Sequence, residues 1–192
     1  MGTAGGGAGR NSSLRGGDMD RERTRIAEDY HHDLQMLRSF LAAANASDLK
    51  RRSHGTRWTN EQLLFHMVFG YMVVRALLPL VHVLVRCPPS TRSAFCRLLN
   101  AGTALFHPVN YLGSCAAAAV YNHRRMAFKL QRTIAALEAR LEAETTASLQ
   151  RRTDFPDRWD PFFTPAMSVE QIYAYPSRHF AFHARQLALP AQ

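Results

Sequence analysis

Apolar residues recur along this chain at helical rather than strand spacing. Ile26, Tyr30, Leu34, Leu37, Leu41 and Ala44 stand 4, 4, 3, 4 and 3 positions apart, which places them on one face of an amphipathic helix. Tyr30 reads as core, while His31 and His32 leave the stripe and face solvent. The polar stretch 45–57 is a loop. A second helix opens at Thr59, an N-cap with Gln62 as capping-box partner and Trp58 stapling onto Leu63. It continues as an apolar run to Val85, and Pro79 is expected to kink it or end its regular part. Cys87-Pro88-Pro89 breaks the chain. Ser90 then caps a shorter helix carrying Phe95, Leu98, Leu99 and Leu105, which His107-Pro108 ends or bends. From Ser114 a long helical segment runs to about Gln150, with Ala127, Leu130, Ile134, Leu137 and Leu141 as its seam. Residues 151–165 hold three prolines, several aromatics and no period, the mark of a long loop lying across the end of a bundle. The last helix repeats the grammar of the second: Ser168 caps, Gln171 completes the box and Met167 staples onto Ile172. Its buried stripe is Ile172, Tyr175, His179, Phe182, His183 and Gln186, with Pro176 as a kink point. No segment has strand patterning, and no repeat of solenoid period is present. The fold class is all-α.

Composition narrows this further. With 192 residues, 46% of them apolar, the chain can bury one good core, so residues 19–192 read as a single domain. Residues 1–18 are Gly, Ser, Ala and Arg, which cannot offset their ordering entropy, and read as a disordered tail. The run Leu63 to Val85 raises a membrane span, but Arg75 at its middle would cost about 2.5 to 3.5 kcal/mol. At about 100° per residue, Arg75 and His82 fall together, opposite His66. Phe69, Val73, Leu77, Leu80 and Leu84 share the side of His66, so this is a soluble amphipathic helix with no membrane partner. The net charge of +9 favours anionic partners. Its arginines are scattered as the pairs Arg51-Arg52, Arg124-Arg125 and Arg151-Arg152, a solvated basic surface rather than a nucleic-acid groove. Cys87, Cys96 and Cys115 have no CxxC or zinc-finger spacing, and no apolar h-region opens the chain. A reducing, cytoplasmic location follows.

The candidate chemistry lies in histidine. His179 and His183 are four apart on a helix and project to one face, the spacing that grips a single metal ion. Phe180 stands where a zincin needs its glutamate, so a third ligand must come from elsewhere. His66 sits mid-stripe on the second helix and supplies it. Three neutral imidazoles buried in one core leave polar nitrogens to satisfy, and a divalent metal satisfies three at once. Gln186, a turn beyond His183, is either the hydrogen-bond partner that fixes its tautomer or an ordinary helix-end amide. His107 and His123 have no partner at ligand spacing.

Trp58-Thr59-Asn60-Glu61-Gln62-Leu63-Leu64-Phe65-His66 resembles the first histidine motif of the DinB-like superfamily. His179-Phe180-Ala181-Phe182-His183-Ala184-Arg185-Gln186-Leu187 resembles its second. The resemblance implies a four-helix bundle of up-down-down-up topology, with the segment from Ser90 to Pro108 as an extra helical element in the crossover. It implies one metal, zinc or nickel before iron, on His66, His179 and His183, and a homodimer. Characterised members include mycothiol-dependent maleylpyruvate isomerase and bacillithiol S-transferases. The Arg- and Ala-rich composition is consistent with a high-GC actinobacterium, where mycothiol is the available thiol. The function expected is a metal-dependent thiol S-transferase or isomerase acting on a small electrophile. It has no protein nucleophile, and Arg57 or Arg178 would hold the anionic end of the cosubstrate. An iron-binding sulfoxide synthase fits less well, since Arg185 stands where that group carries an acidic residue. The alternative is a non-catalytic metal-binding stress or interaction protein of the same fold.

Overall fold

A computed structural model describes residues 8–189 and, among them, eight helices and one two-stranded ribbon. Helix α1 runs Ala8–Ala43, α2 Ala46–Lys50, α3 Asn60–Leu84, α4 Pro89–Ala101, α5 Thr103–Val120, α6 Met126–Ala143, α7 Thr146–Gln150 and α8 Val169–Ala184. Strands β1, Arg152–Asp154, and β2, Ala166–Ser168, pair antiparallel with Thr153 opposite Met167. The all-α reading holds, and the ribbon is the exception to the expectation of no strand. Three residues a side are too few to print an alternating pattern, and the ribbon serves to clamp the two ends of the 155–165 loop.

Four long helices touch in a ring, α1 with α6 and α8, and α3 with α6 and α8, while α5 packs on the outside of α3. One core joins them, with Ile26, Tyr30 and Leu37 of α1, Leu64, Phe65 and Tyr71 of α3, Leu130 and Leu137 of α6, and Tyr173 and Phe180 of α8. The stripe on α1 is as the spacing requires, with His31 and His32 exposed. The tail expected over 1–18 is not a tail throughout: α1 extends back to Ala8, and residues 1–7 lie outside the described residues. Adding a turn to an existing helix carries no nucleation cost, so a packed stripe downstream can carry a poor helical sequence with it.

Both capping boxes form. The Thr59 hydroxyl accepts from Gln62 N–H at the start of α3, and the Ser168 hydroxyl accepts from Gln171 N–H at the start of α8, each glutamine returning a bond to the cap. A third box, Asn45 with Asp48, turns part of the expected 45–57 loop into α2. The helix expected from Ser114 to Gln150 is broken at residues 121–125, where Tyr121 leaves helical geometry and the Asn122 side-chain oxygen accepts from Arg124 N–H. Pro108 lies inside α5, and the N-cap of α4 is Pro88 rather than Ser90, with no side-chain cap. The segment from Ser90 to Pro108, expected as one extra helical element, is therefore divided between α4 and α5. Pro79 does not end α3. Having no N–H, it leaves the Arg75 carbonyl one turn back without its helical donor, and the Arg140 guanidinium of α6 donates to that oxygen at 2.8 Å. Replacing Arg140 with alanine is expected to cost about 1 kcal/mol in urea unfolding, whereas the same change in a helix without Pro79 would be close to neutral.

The chain repeats at a period far longer than a solenoid's. Ile26, Tyr30, Leu34, Leu37 and Leu49 are buried, and so are Met126, Leu130, Ile134, Leu137 and Leu149, one hundred positions later. In each half a five-residue helix follows the long one, and an arginine carbonyl then receives the first N–H of the next long helix. Asn60 N–H reaches Arg51 O at 2.8 Å, and Val169 N–H reaches Arg151 O at 3.0 Å. The bridge between Arg52 and Thr59 in the first half takes the place of the β1–β2 ribbon in the second.

By length and composition α3 is the one described helix that could cross a membrane. Here it is packed against α5, α6 and α8. Leu63 to Val68 are buried without interruption, while Arg75 is exposed and His82 pairs with Glu144 at 2.7 Å.

Candidate metal centre

The capping boxes set the register of both histidine helices, and α3 and α8 pack against each other. This brings His66, His179 and His183 into one cluster, each offering a ring nitrogen within 4.8 Å of the other two. His66 Nε2 and His179 Nε2 are 3.2 Å apart. Two imidazole ligands of a tetrahedral ion at 2.0–2.1 Å would stand about 3.3 Å apart, so the spacing suits a shared ion. His66 and His179 are buried, and His183 is half-buried at the open side.

Two of the three distal nitrogens have partners, on the side of the ring away from the cluster. His183 Nδ1–H donates to the Gln186 side-chain oxygen at 2.6 Å, which fixes the tautomer with its lone pair on Nε2. His66 Nδ1 lies 3.1 Å from the hydroxyl of Ser114, a buried residue of α5. His179 Nδ1 is buried with no partner, pressed against α3 at Gly70. Burial holds all three imidazoles neutral. It pushes the His66 pKa down to about 3, helped by His183, and His179 well below its ordinary value, helped by His66 and His183. His183 is lowered by burial and partly restored by its bond to Gln186. Neutral nitrogens with lone pairs turned inward are what a metal ion requires.

A Cβ on Gly70 would stand 2.8 Å from His179 Nδ1. Gly70→Ala is therefore expected to displace the imidazole and lower metal affinity about tenfold, with helix content unchanged. Metal titration beside far-ultraviolet circular dichroism checks both parts.

Around the histidines stand residues whose part in the site no local pattern announces. Trp58 stacks on His66 with ring centroids 4.3 Å apart and on Tyr111 of α5 at 5.8 Å, so its ring covers the cluster instead of only stapling a helix end. Asp160, in the 155–165 loop, places Oδ2 3.9 Å from His179 Nε2. It is held there by Tyr175 OH, which donates to Oδ2 at 2.8 Å, and by Phe162 N–H, which donates to Oδ1 at 2.9 Å. The loop itself is anchored through Trp159, whose ring stacks on Phe106 at 4.2 Å and whose N–H donates to the Leu99 carbonyl.

Of the two candidate arginines, Arg57 reaches the rim, its guanidinium 4.9 Å from the centre of the Tyr111 ring. Arg178 is not drawn in. It is exposed on α8, where its charge acts on Glu22 and Glu170. Phe182, expected in the buried stripe, is 38% exposed beside Phe162. Tyr30 is plain core and donates to the Tyr173 carbonyl at 2.6 Å. His107 is exposed, and His123 pairs with Glu61 away from the cluster. The three cysteines are unpaired.

Compared with protein-family models, curated proteins and solved structures, the chain matches none.

Proposed function

We propose that this chain is a DinB-like four-helix bundle, up-down-down-up, whose three histidines hold one divalent metal for thiol transfer to, or isomerisation of, a small electrophile. The convergence of three neutral imidazole nitrogens carries this reading. The ring of contacts among α1, α3, α6 and α8, with α4 and α5 as an insertion, supports the bundle. An all-imidazole donor set suits zinc or nickel, and iron less specifically. A metal held there would supply Lewis acidity, enough to lower the pKa of a thiol such as mycothiol or of water toward neutrality.

The chain's own residues do the rest. His66, His179 and His183 bind, while Ser114 and Gln186 orient two of the rings. Trp58 and Tyr111 shield the cluster from water on one side. Asp160 Oδ2 is the base placed to take the proton of the thiol, and Tyr175 fixes its position. Arg57 is placed to meet an anionic cosubstrate at the rim. A cytoplasmic homodimer completes the proposal.

Elemental analysis of untagged protein tests it. About one zinc or nickel per chain is expected, with thiol-dependent consumption of 1-chloro-2,4-dinitrobenzene that stops on metal removal. No bound metal after reconstitution would sink the reading. Bound metal without turnover for any thiol would assign a structural metal in a non-catalytic stress or interaction protein.

A further inference from the structure

Beside the histidines lies a cavity of about 480 Å³, walled by α3, α4, α5, the loop after β1 and the start of α8. Native cores contain few voids larger than a water molecule, and small-ligand sites span about 300–1,000 Å³. The wall is almost wholly apolar. Leu77 and Leu80, expected in the core stripe, are 43% and 40% exposed and line this space instead. Of the polar side chains in the wall, the Asp154 carboxylate is already engaged by the Ser93 hydroxyl. A sugar or a phosphate would be desolvated here with little to replace its water.

The cavity shares residues with the metal centre. Phe69 and Tyr175 stand in its wall, and their rings lie 6.4 Å from His66 and 5.5 Å from His179. Gly113, also in the wall, immediately precedes Ser114, the partner of His66. We infer that this cavity receives the apolar body, an alkyl chain or aromatic system, of a substrate whose single polar reactive group lies at the histidines. The inference rests on the metal reading above and adds to it the substrate class: an amphiphile with an uncharged apolar body, rather than a small polar acid.

Cobalt(II)-loaded protein tests this with alkyl hydroxamates, whose head group binds metal and whose chain length can be varied. The cobalt absorption spectrum reports binding of acetohydroxamate, hexanohydroxamate and decanohydroxamate. Affinity is expected to rise with length, by up to roughly fourfold for each fully buried methylene. A Cβ on Gly113 meets no atom within 4 Å, so Gly113→Leu can project into the space without straining the helix. That variant, and Ala76→Phe from the α3 side as an independent block, should keep the cobalt spectrum and the acetohydroxamate affinity and lose the gain with length. Equal affinity for all three chains in the wild type, or a gain that survives both variants, overturns the inference while leaving the metal centre standing. Failure of cobalt to bind overturns the metal reading, and this inference with it.

Discussion

Zinc or nickel at about 1,000 times its dissociation constant is expected to raise the unfolding free energy of the wild-type chain by about 4 kcal/mol and to leave His179→Ala unmoved. A ligand that binds only the folded state stabilises it by mass action, and this site cannot exist in the unfolded chain, because His66 and His179 are 113 positions apart. His179 is the most telling of the three to remove. It is 3% exposed, its Nε2 faces both His66 and Asp160, and its Nδ1 has no partner of its own. Without metal, the variant loses packing but also loses a buried nitrogen without a partner, so the two effects oppose each other. Urea unfolding of both proteins, with metal and with chelator, separates these contributions. Equal stabilisation of wild type and variant by metal would show that the ion binds elsewhere.

Replacing Asp33 with asparagine is expected to stabilise the protein by up to about 3 kcal/mol at pH 8 and by little at pH 4. Asp33 is buried between α1, α3 and α8, where Tyr71 OH donates to its Oδ2 at 2.5 Å and Ser177 shares the Tyr71 hydroxyl at 3.0 Å. Burial raises its pKa from 3.8 to about 6, against the opposing pull of the Tyr71 and Ser177 hydrogen bonds and of His32, with the Asp29 charge adding a little. The folded chain thus holds this proton more tightly than the unfolded one. Its stability advantage is full below about pH 4 and is lost as pH rises through about 6, at 1.36 kcal/mol per unit. Asparagine keeps an oxygen for Tyr71, offers an N–H toward the Ser177 oxygen and has no charge to desolvate. The difference between variant and wild type in urea unfolding should therefore open between pH 4 and pH 7. A difference that does not change with pH would refute the assignment.

The parts of this molecule legible in the sequence are those written in local chemistry. The capping boxes at Thr59 and Ser168 fixed where α3 and α8 begin, hence which way His66 and His179 point, and the histidine cluster followed from that register. The stripe of α1 was equally clear because its polar positions are unambiguous. Along α3 the same method failed after Val73. That run is apolar on most sides, so periodicity could not choose between Leu77 and Leu80, which face a cavity, and Leu78 and Val81, which are buried. The break at residues 121–125 was missed because it contains neither glycine nor proline and is held by the Asn122 side chain and, from a distant helix, by Glu61, which accepts from His123 N–H. Ser114 and Asp160 could not be found at all. Each acts through a contact with a distant residue, and nothing in its neighbours announces that contact. The hundred-residue repeat escaped for a related reason: it conserves burial and caps far more than identity.

That repeat has a consequence for Gly70 and His179. Counted from the capping boxes, Thr59 against Ser168 and Gln62 against Gln171, the two occupy equivalent places on α3 and α8, and they meet where the helices cross. Two identical half-chains assembled as a symmetric pair would set the same residue against itself at that crossing: two glycines with no ligand, or two imidazoles competing for space that one fills. Only a single chain carrying both halves can make one a socket and the other the group that fills it. The covalent link between the halves is therefore what allows the centre to be lopsided, with one histidine from the first half and two from the second.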